Sequence, residues 1–231
     1  MREAVILAGG LGTRLREVVA DVPKPMAPVN GKPFLHYVLT WLENSGIGRA
    51  VISAGYKSEA IAGYFGNTFG KLHIVYAIEE KPLGTGGALR FALRHIDSDD
   101  LLILNGDTYF PVEIDNLYFS HEDLSSSFTI ALKRMKNFSR YGSVECDDQT
   151  IIRFNEKKFC EDGFINGGVY LACRRYLEEN LPAGVSSLEK DFLEAEAGKG
   201  NLKCMVFSST FIDIGIPEDY RRAHSLLKNI S

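Results

Sequence analysis

A chain of 231 residues, 45% hydrophobic and 24% charged, carries enough apolar mass for one substantial core, and at roughly 150 residues per domain it has little room for two. Twenty-six Lys and Arg against 30 Asp and Glu give a formal net charge of -4, so no overall positive field exists to hold nucleic acid or an anionic membrane. Any anionic ligand must be held locally.

The first 120 residues alternate short β-branched runs with helix-period segments, the pattern of a parallel sheet with crossover helices. Ala4 to Ala8 reads as a buried strand, and it meets Gly9 and Gly10 long before the ~18 apolar residues of a membrane span. Pro33 introduces a helix on which Phe34, Leu35, Val38, Leu39 and Leu42 share one face, and Gly46 stops it. Arg49 to Ala54 is a strand, Ser58 caps a helix ending near Gly66, and Leu72 to Ile78 is a strand. Thr85 caps a helix carrying Ala88, Leu89, Ala92, Leu93 and Ile96, and Leu101 to Leu104 is a buried strand ending at Asn105-Gly106-Asp107. After Ser125 strand-like runs dominate: Phe128 to Lys133, Gly142 to Cys146, Thr150 to Phe154 and Gly168 to Ala172, with Asp147-Asp148 as a hairpin turn. A helix from Ser187 to about Ala197, strands Leu202 to Phe207 and Thr210 to Ile214, and a helix after Pro217 complete one continuous α/β domain.

The strongest local signal is Leu7-Ala8-Gly9-Gly10-Leu11-Gly12-Thr13-Arg14-Leu15, directly after the first strand. Glycines there let a ligand approach backbone N–H groups that can face phosphate oxygens, and Arg14 adds a planar fork of donors. Neither the dinucleotide G-x-G-x-x-G pattern nor the G-x-x-x-x-G-K-[ST] loop is present, which disfavours a dehydrogenase and a P-loop ATPase. Pro23-Lys24-Pro25 follows, two prolines restricting the backbone around one lysine. Asp107 falls at the carboxyl end of a parallel strand, the edge on which open α/β sheets bind ligands. Magnesium typically takes one or two carboxylates together with substrate phosphates. The five histidines form no H-x-x-x-H pair, and Cys146, Cys160, Cys173 and Cys204 have no C-x-x-C spacing, which fits reduced thiols in a cytoplasmic protein without a secretion signal.

Gly9 to Arg14 and Pro23 to Pro25 resemble the G-G-x-G-T-R and P-K-P signatures of the sugar 1-phosphate nucleotidyltransferases. Pro82 to Gly87, Leu104 to Asp107, Tyr141-Gly142, Phe154 to Lys157, Asn166 to Gly168 and Ile212 to Pro217 follow in the family order. The resemblance implies a Rossmann-like mixed, mostly parallel sheet flanked by helices, with a nucleotide-binding part over about 1–125 and a sugar-phosphate part over about 126–231. Many mannose 1-phosphate guanylyltransferases append a β-helix of hexapeptide repeats; no such repeat is present here, so no C-terminal β-helix is expected. The resemblance assigns the nucleotide to Leu7, Ala8, Gly9, Gly10, Gly12, Thr13, Arg14, Lys24, Glu79, Glu80, Gly84, Thr85 and Asp107. Asp107 and Asp213 match the family's metal-binding aspartates, for Mg²⁺. Glu156 takes sugar hydroxyls, Lys157 the sugar phosphate, and Gly142, Asn166 and Gly168 line the sugar pocket. The resemblance makes Arg14, Lys24, Asp107 and Lys157 the expected catalytic set. Lys158 stands where the family's commoner Glu-Lys-Pro has its proline.

The implied reaction needs no general base, because a sugar 1-phosphate is already an anionic nucleophile. It needs alignment of two mutually repelling phosphates and neutralisation of charge on the transferring group. A carboxylate at Glu79 or Glu80 can accept from guanine N1–H and its exocyclic amine together, so the nucleoside triphosphate leans to GTP. The length and the Leu83 to Gly87 loop resemble single-domain D-glycero-D-manno-heptose 1-phosphate guanylyltransferases and also short N-acetylmuramate 1-phosphate uridylyltransferases, the former favoured. Such an enzyme would make GDP-heptose for surface polysaccharide. The alternatives are uridylyl transfer, a mannose 1-phosphate guanylyltransferase, a non-catalytic nucleotide-sugar sensor, and a metal-dependent glycosyltransferase, whose D-x-D motif is replaced by Asp107-Thr108-Tyr109. The resemblance leaves a homodimer open; no nucleic-acid or membrane partner is indicated.

Overall fold

Side chains along a strand alternate between faces, and here the alternation separates two cores. The computed structural model describes residues 1–10, 15, 19 and 22–230. In β1 (Glu3–Leu7), Ala4 and Ile6 enter one core and Val5 the other. The described strands continue as β2 (Pro28–Val29), β3 (Lys32–Pro33), β4 (Arg49–Ala54), β5 (Thr68–Phe69), β6 (Leu72–Ile78), β7 (Asp100–Asn105), β8 (Thr108–Tyr109), β9 (Phe128–Phe138), β10 (Gly142–Asp147), β11 (Thr150–Lys157), β12 (Cys160–Cys173), β13 (Leu202–Phe207) and β14 (Ile212–Asp213). A ten-stranded sheet has the order β10-β11-β13-β9-β12-β7-β1-β4-β6-β5. Strands β7, β1, β4 and β6 run parallel, while β12 joins β7 antiparallel and begins a mostly antiparallel half. The expected parallel arrangement therefore belongs to the first half of a mixed sheet.

Helices cover both faces. On one side α1 (Phe34–Asn44) packs Phe34, Leu35, Val38, Leu39 and Leu42 against Ile6, Ile52 and Leu104. On the other side α3 (Gly84–Ala92) carries Leu89 and Ala92 against Val5, Val51 and Ile103. α2 (Ser58–Phe65) ends at Gly66, whose φ of 60° suits glycine. Ser58 does not cap it: Lys57 holds the N-cap position and Ser58 is the first helical residue. Likewise Thr85 is the second residue of α3, and its side chain does not cap that helix.

Two helices appear where none was expected. In α4 (Ile114–Asp123) only Ile114, Leu117 and His121 are buried, and in α5 (Arg174–Asn180) only Leu177 is, so neither writes a broad apolar stripe. The Ser187 helix begins as a π-helical turn, Leu188–Leu193, and continues into α6 (Glu194–Glu196), with the Ser187 hydroxyl accepting from Lys190 N–H. The last described helix is α7 (Pro217–Leu226). The expected Thr210 to Ile214 strand is shorter, and β9 and β12 are longer, than their apolar runs. Asn166 to Gly168, whose residues would also suit a turn, form an irregularity inside β12, where pairing with β9 jumps from Asn166 to Tyr170. All four cysteines are free, Cys146 and Cys204 with their sulfurs 3.4 Å apart. Among the described residues no helix is long and apolar enough to cross a membrane.

Candidate active site

The carboxyl ends of β1, β4 and β7 are tied together where β1 gives way to the glycine loop. Ala8 N–H donates to Ser53 O at 2.8 Å and Gly106 N–H to Leu7 O at 2.9 Å. A Cβ on Gly9 would lie 2.8 Å from Glu79 Oε1, so a side chain there would displace that carboxylate. These residues wall a cavity of about 370 Å³ that brings together Leu7, Ala8, Gly9, Gly10, Lys24, Glu79, Gly84, Thr85 and Asp107 from the expected nucleotide set, and adds Asn105 and Glu189. Gly12, Thr13 and Arg14 lie outside the described residues. Glu80 does not line this cavity.

Not every residue in the wall is free to bind. Glu79 accepts from Leu83 N–H at 2.9 Å and from the Ser53 hydroxyl at 3.3 Å, so its carboxylate is already fixed by the protein. The first turn of α3 is also occupied: Gly86 and Gly87 N–H both donate to Ser186 O, at 2.8 and 3.3 Å, which removes them as phosphate donors. The Thr85 hydroxyl accepts from Leu188 N–H and donates to Glu189, each at 2.8 Å.

Lys24 opens a 3₁₀ turn (Lys24–Met26) in which Met26 N–H bonds Pro23 O at 2.7 Å, and the turn aims its ammonium at Asp107, with which it forms a largely buried ion pair. The second aspartate arrives by backbone pairing. β14 lies antiparallel to β8 with Asp213 opposite Thr108, and Ile214 N–H donates to Asp107 O at 3.0 Å. Residues more than a hundred positions apart thus become neighbours. Asp213 accepts from Gly215 N–H at 2.6 Å and from Arg140 Nη2 at 2.9 Å. Burial and the nearby Asp107 carboxylate push its carboxyl above the usual range, while Arg140 and Lys24 pull it back. A Cβ on Gly215 would meet Asp213 Oδ1 at 2.7 Å, Arg140 Nη2 at 2.9 Å and Lys24 Nζ at 3.3 Å, so all three groups converge on one glycine.

Arg140 is the residue that sequence reasoning missed here. It also pairs with Asp219 of α7 and lies 5.1 Å from the centre of the Tyr141 ring, bridging the β9–β10 turn to the end of the chain. Its position immediately before Tyr141-Gly142 is the available signal. Burial pushes the Tyr141 hydroxyl pKa up to about 12, with Asp213 adding to the effect.

A second cavity, about 360 Å³, takes in Gly142, Glu156, Lys157 and Asn166 of the expected sugar set. β10 pairs with β11 so that Gly142 faces Lys157. Gly168 does not line it: with φ of 69° it packs beneath Asn105, where a Cβ would lie 2.9 Å from Asn105 Nδ2. Ser187, Glu189, Lys190, Leu193 and Glu194 also line it, and none of them carried a sequence signal for the site because tertiary packing alone delivers them.

The family model described as nucleotidyl transferase matches residues 3–230. The chain belongs to the nucleotidyl transferase family. Over 227 residues it is 45% identical to a D-glycero-alpha-D-manno-heptose 1-phosphate guanylyltransferase from Aneurinibacillus thermoaerophilus, covering 98% of this nucleotidyl transferase and 99% of the relative. It is 41% identical to the enzyme of the same name from Campylobacter jejuni, covering 98% and 100%. The crystal structure of HddC from Yersinia pseudotuberculosis complexed with GMP-PN superposes with a TM-score of 0.88 at 37% identity, covering 98% of this chain and 100% of that one. Nucleotidyl transferases of this family generally work with a divalent metal ion, and the donor set here fits one. Burial and the neighbouring Asp107 carboxylate raise the proton affinity of Asp213, a cost that a dication relieves, and two carboxylates plus phosphate oxygens is an ordinary environment for a hard ion.

Proposed function

We propose that this nucleotidyl transferase joins GTP to D-glycero-α-D-manno-heptose 1-phosphate, releasing pyrophosphate and giving GDP-heptose for surface polysaccharide assembly in the cytoplasm. A phosphate oxygen of the sugar phosphate attacks the α-phosphorus of GTP, and the bond from that phosphorus to the β-bridging oxygen breaks. The observation that carries this reaction class is the convergence of Asp213 and Arg140 on Lys24 and Asp107, which line one cavity that shares Glu189 with a second. The choice of base and sugar rests on the near full-length relatives.

The first part of the chain, about 1–125, takes the nucleotide and the remainder the sugar phosphate. The Leu7 to Gly10 backbone, with Gly12, Thr13 and Arg14, meets the triphosphate, and Gly84, Thr85 and the Glu79 segment border the nucleoside. Asp107 and Asp213 would hold Mg²⁺. That ion supplies charge neutralisation on the transferring phosphoryl group and departing pyrophosphate. Lys24 stands beside the reacting phosphates and Lys157 takes the sugar phosphate, so cations hold together two anions that repel each other. Glu156, Gly142 and Asn166 border the sugar. Glu79 is poised to read the base only through lone pairs that Leu83 and Ser53 leave over, which narrows its part in choosing guanine.

The test is a pyrophosphate-release matrix of four nucleoside triphosphates against heptose, mannose, glucose and N-acetylmuramate 1-phosphates. GTP with the heptose phosphate should give the highest kcat/KM. Preference for UTP with N-acetylmuramate 1-phosphate would replace the assignment with the uridylyl one.

A further inference from the structure

Two substrates that must meet need a wall common to both sites, and among the described residues Glu189 alone lines both cavities. Its Oε2 accepts from the Thr85 hydroxyl at 2.8 Å and the Ser187 hydroxyl at 3.1 Å, and no described residue donates to Oε1. The side chain sits in a hydrogen-bonded clasp between the start of α3 and the segment ahead of α6. Ser186 N–H donates to Leu83 O at 2.9 Å, Gly86 N–H returns to Ser186 O, and Leu188 N–H donates to Thr85 Oγ1. Fixed on one oxygen and open on the other, the carboxylate is organised before any ligand arrives.

A carboxylate accepts hydrogen bonds and repels phosphate, so what it can take is a hydroxyl hydrogen from either substrate or an N–H of the base. Its neighbours decide which substrate. Ser187, Lys190, Leu193 and Glu194 from the same segment all line the sugar-side cavity and none lines the other. We propose that Glu189 accepts a hydrogen bond from a ring hydroxyl of the sugar phosphate and so determines which sugars are used, with Thr85 as the group that positions it. This rests on the functional reading above and adds to it a specificity residue held from the nucleotide side.

The experiment is pyrophosphate release by the full chain with GTP and a series of monodeoxy α-D-mannose 1-phosphates, read against the parent sugar phosphate. A hydrogen bond to a charged group is worth enough that one deoxy analogue should lose about 10-fold in kcat/KM with the unmodified protein. In Glu189→Gln that same discrimination should shrink below about 3-fold, while the KM for GTP changes by less than about 2-fold. Thermal melts establish that the variant is folded, and Glu189→Asp, one methylene shorter, should flatten the same preference if Glu189→Gln does not fold. Discrimination that survives in both variants, or a penalty confined to GTP, overturns the role of Glu189 while leaving the reaction intact. No pyrophosphate from the unmodified protein with any sugar phosphate overturns both.

Discussion

The two halves of the sheet are built differently, and the proposed function gives them different work. On the nucleotide side, buried parallel strands end abruptly in short glycine, proline and aspartate loops, and chemistry is placed by where each strand stops. On the sugar side, long antiparallel strands carry exposed Glu156 and Lys157 on the β10–β11 hairpin, and a cavity forms only when the Ser187 segment packs beside it. Under the proposed function the first region would meet phosphates through backbone and cations, and the second would choose a sugar by side chains drawn from separate elements. Asp213 and Arg140 belong to the second half in sequence and to the first in space.

That contrast can be broken by substitutions on either side. Asp107→Asn should be the most severe, lowering kcat by roughly 10²–10³-fold while GTP binding by calorimetry weakens much less, because charge stabilisation peaks in the transition state. Lys157→Ala should raise the KM for the sugar phosphate about 10- to 100-fold with little change for GTP; the reverse split would move this residue to the nucleotide side. Arg140→Lys keeps the charge but loses the planar fork that spans Asp213 and Asp219, and steady-state kinetics should show kcat down about 10-fold. Gly168→Ala should be smallest in activity and visible in chemical denaturation, a loss of about 1 kcal/mol from a side chain at φ of 69° pressed on Asn105. A Gly168→Ala variant as stable as the parent would show that the β12 irregularity relaxes freely.

Much of the nucleotide side is legible in the sequence because its signals are local: a buried run, then glycines, then a proline-flanked lysine. The parallel strands, α1 and the Asp107 strand end follow from periodicity and loop chemistry alone. What escaped depends on distance or on weak burial. α4 and α5 each bury too few side chains to write a pattern, and β9 beyond Lys133 is held by pairing with β12 while most of its side chains there face solvent. Asn166-Gly167-Gly168 has turn chemistry yet bends a strand, because the same residues that permit a turn permit a bulge. Thr85 has the chemistry of a cap, since hydroxyls favour that place, but partners a hundred positions away claim it. Glu189 has no local signal of any kind.

The pairing of β8 with β14 brings two distant aspartates together at the proposed ion site, and Mn²⁺ binding followed by electron paramagnetic resonance, with a non-hydrolysable GTP analogue present, tests that site most directly. The unmodified protein should take up one tightly held Mn²⁺ per chain, and Asp107→Asn and Asp213→Asn should each weaken it by at least about 10-fold. Undiminished Mn²⁺ affinity in Asp213→Asn would contradict the shared site.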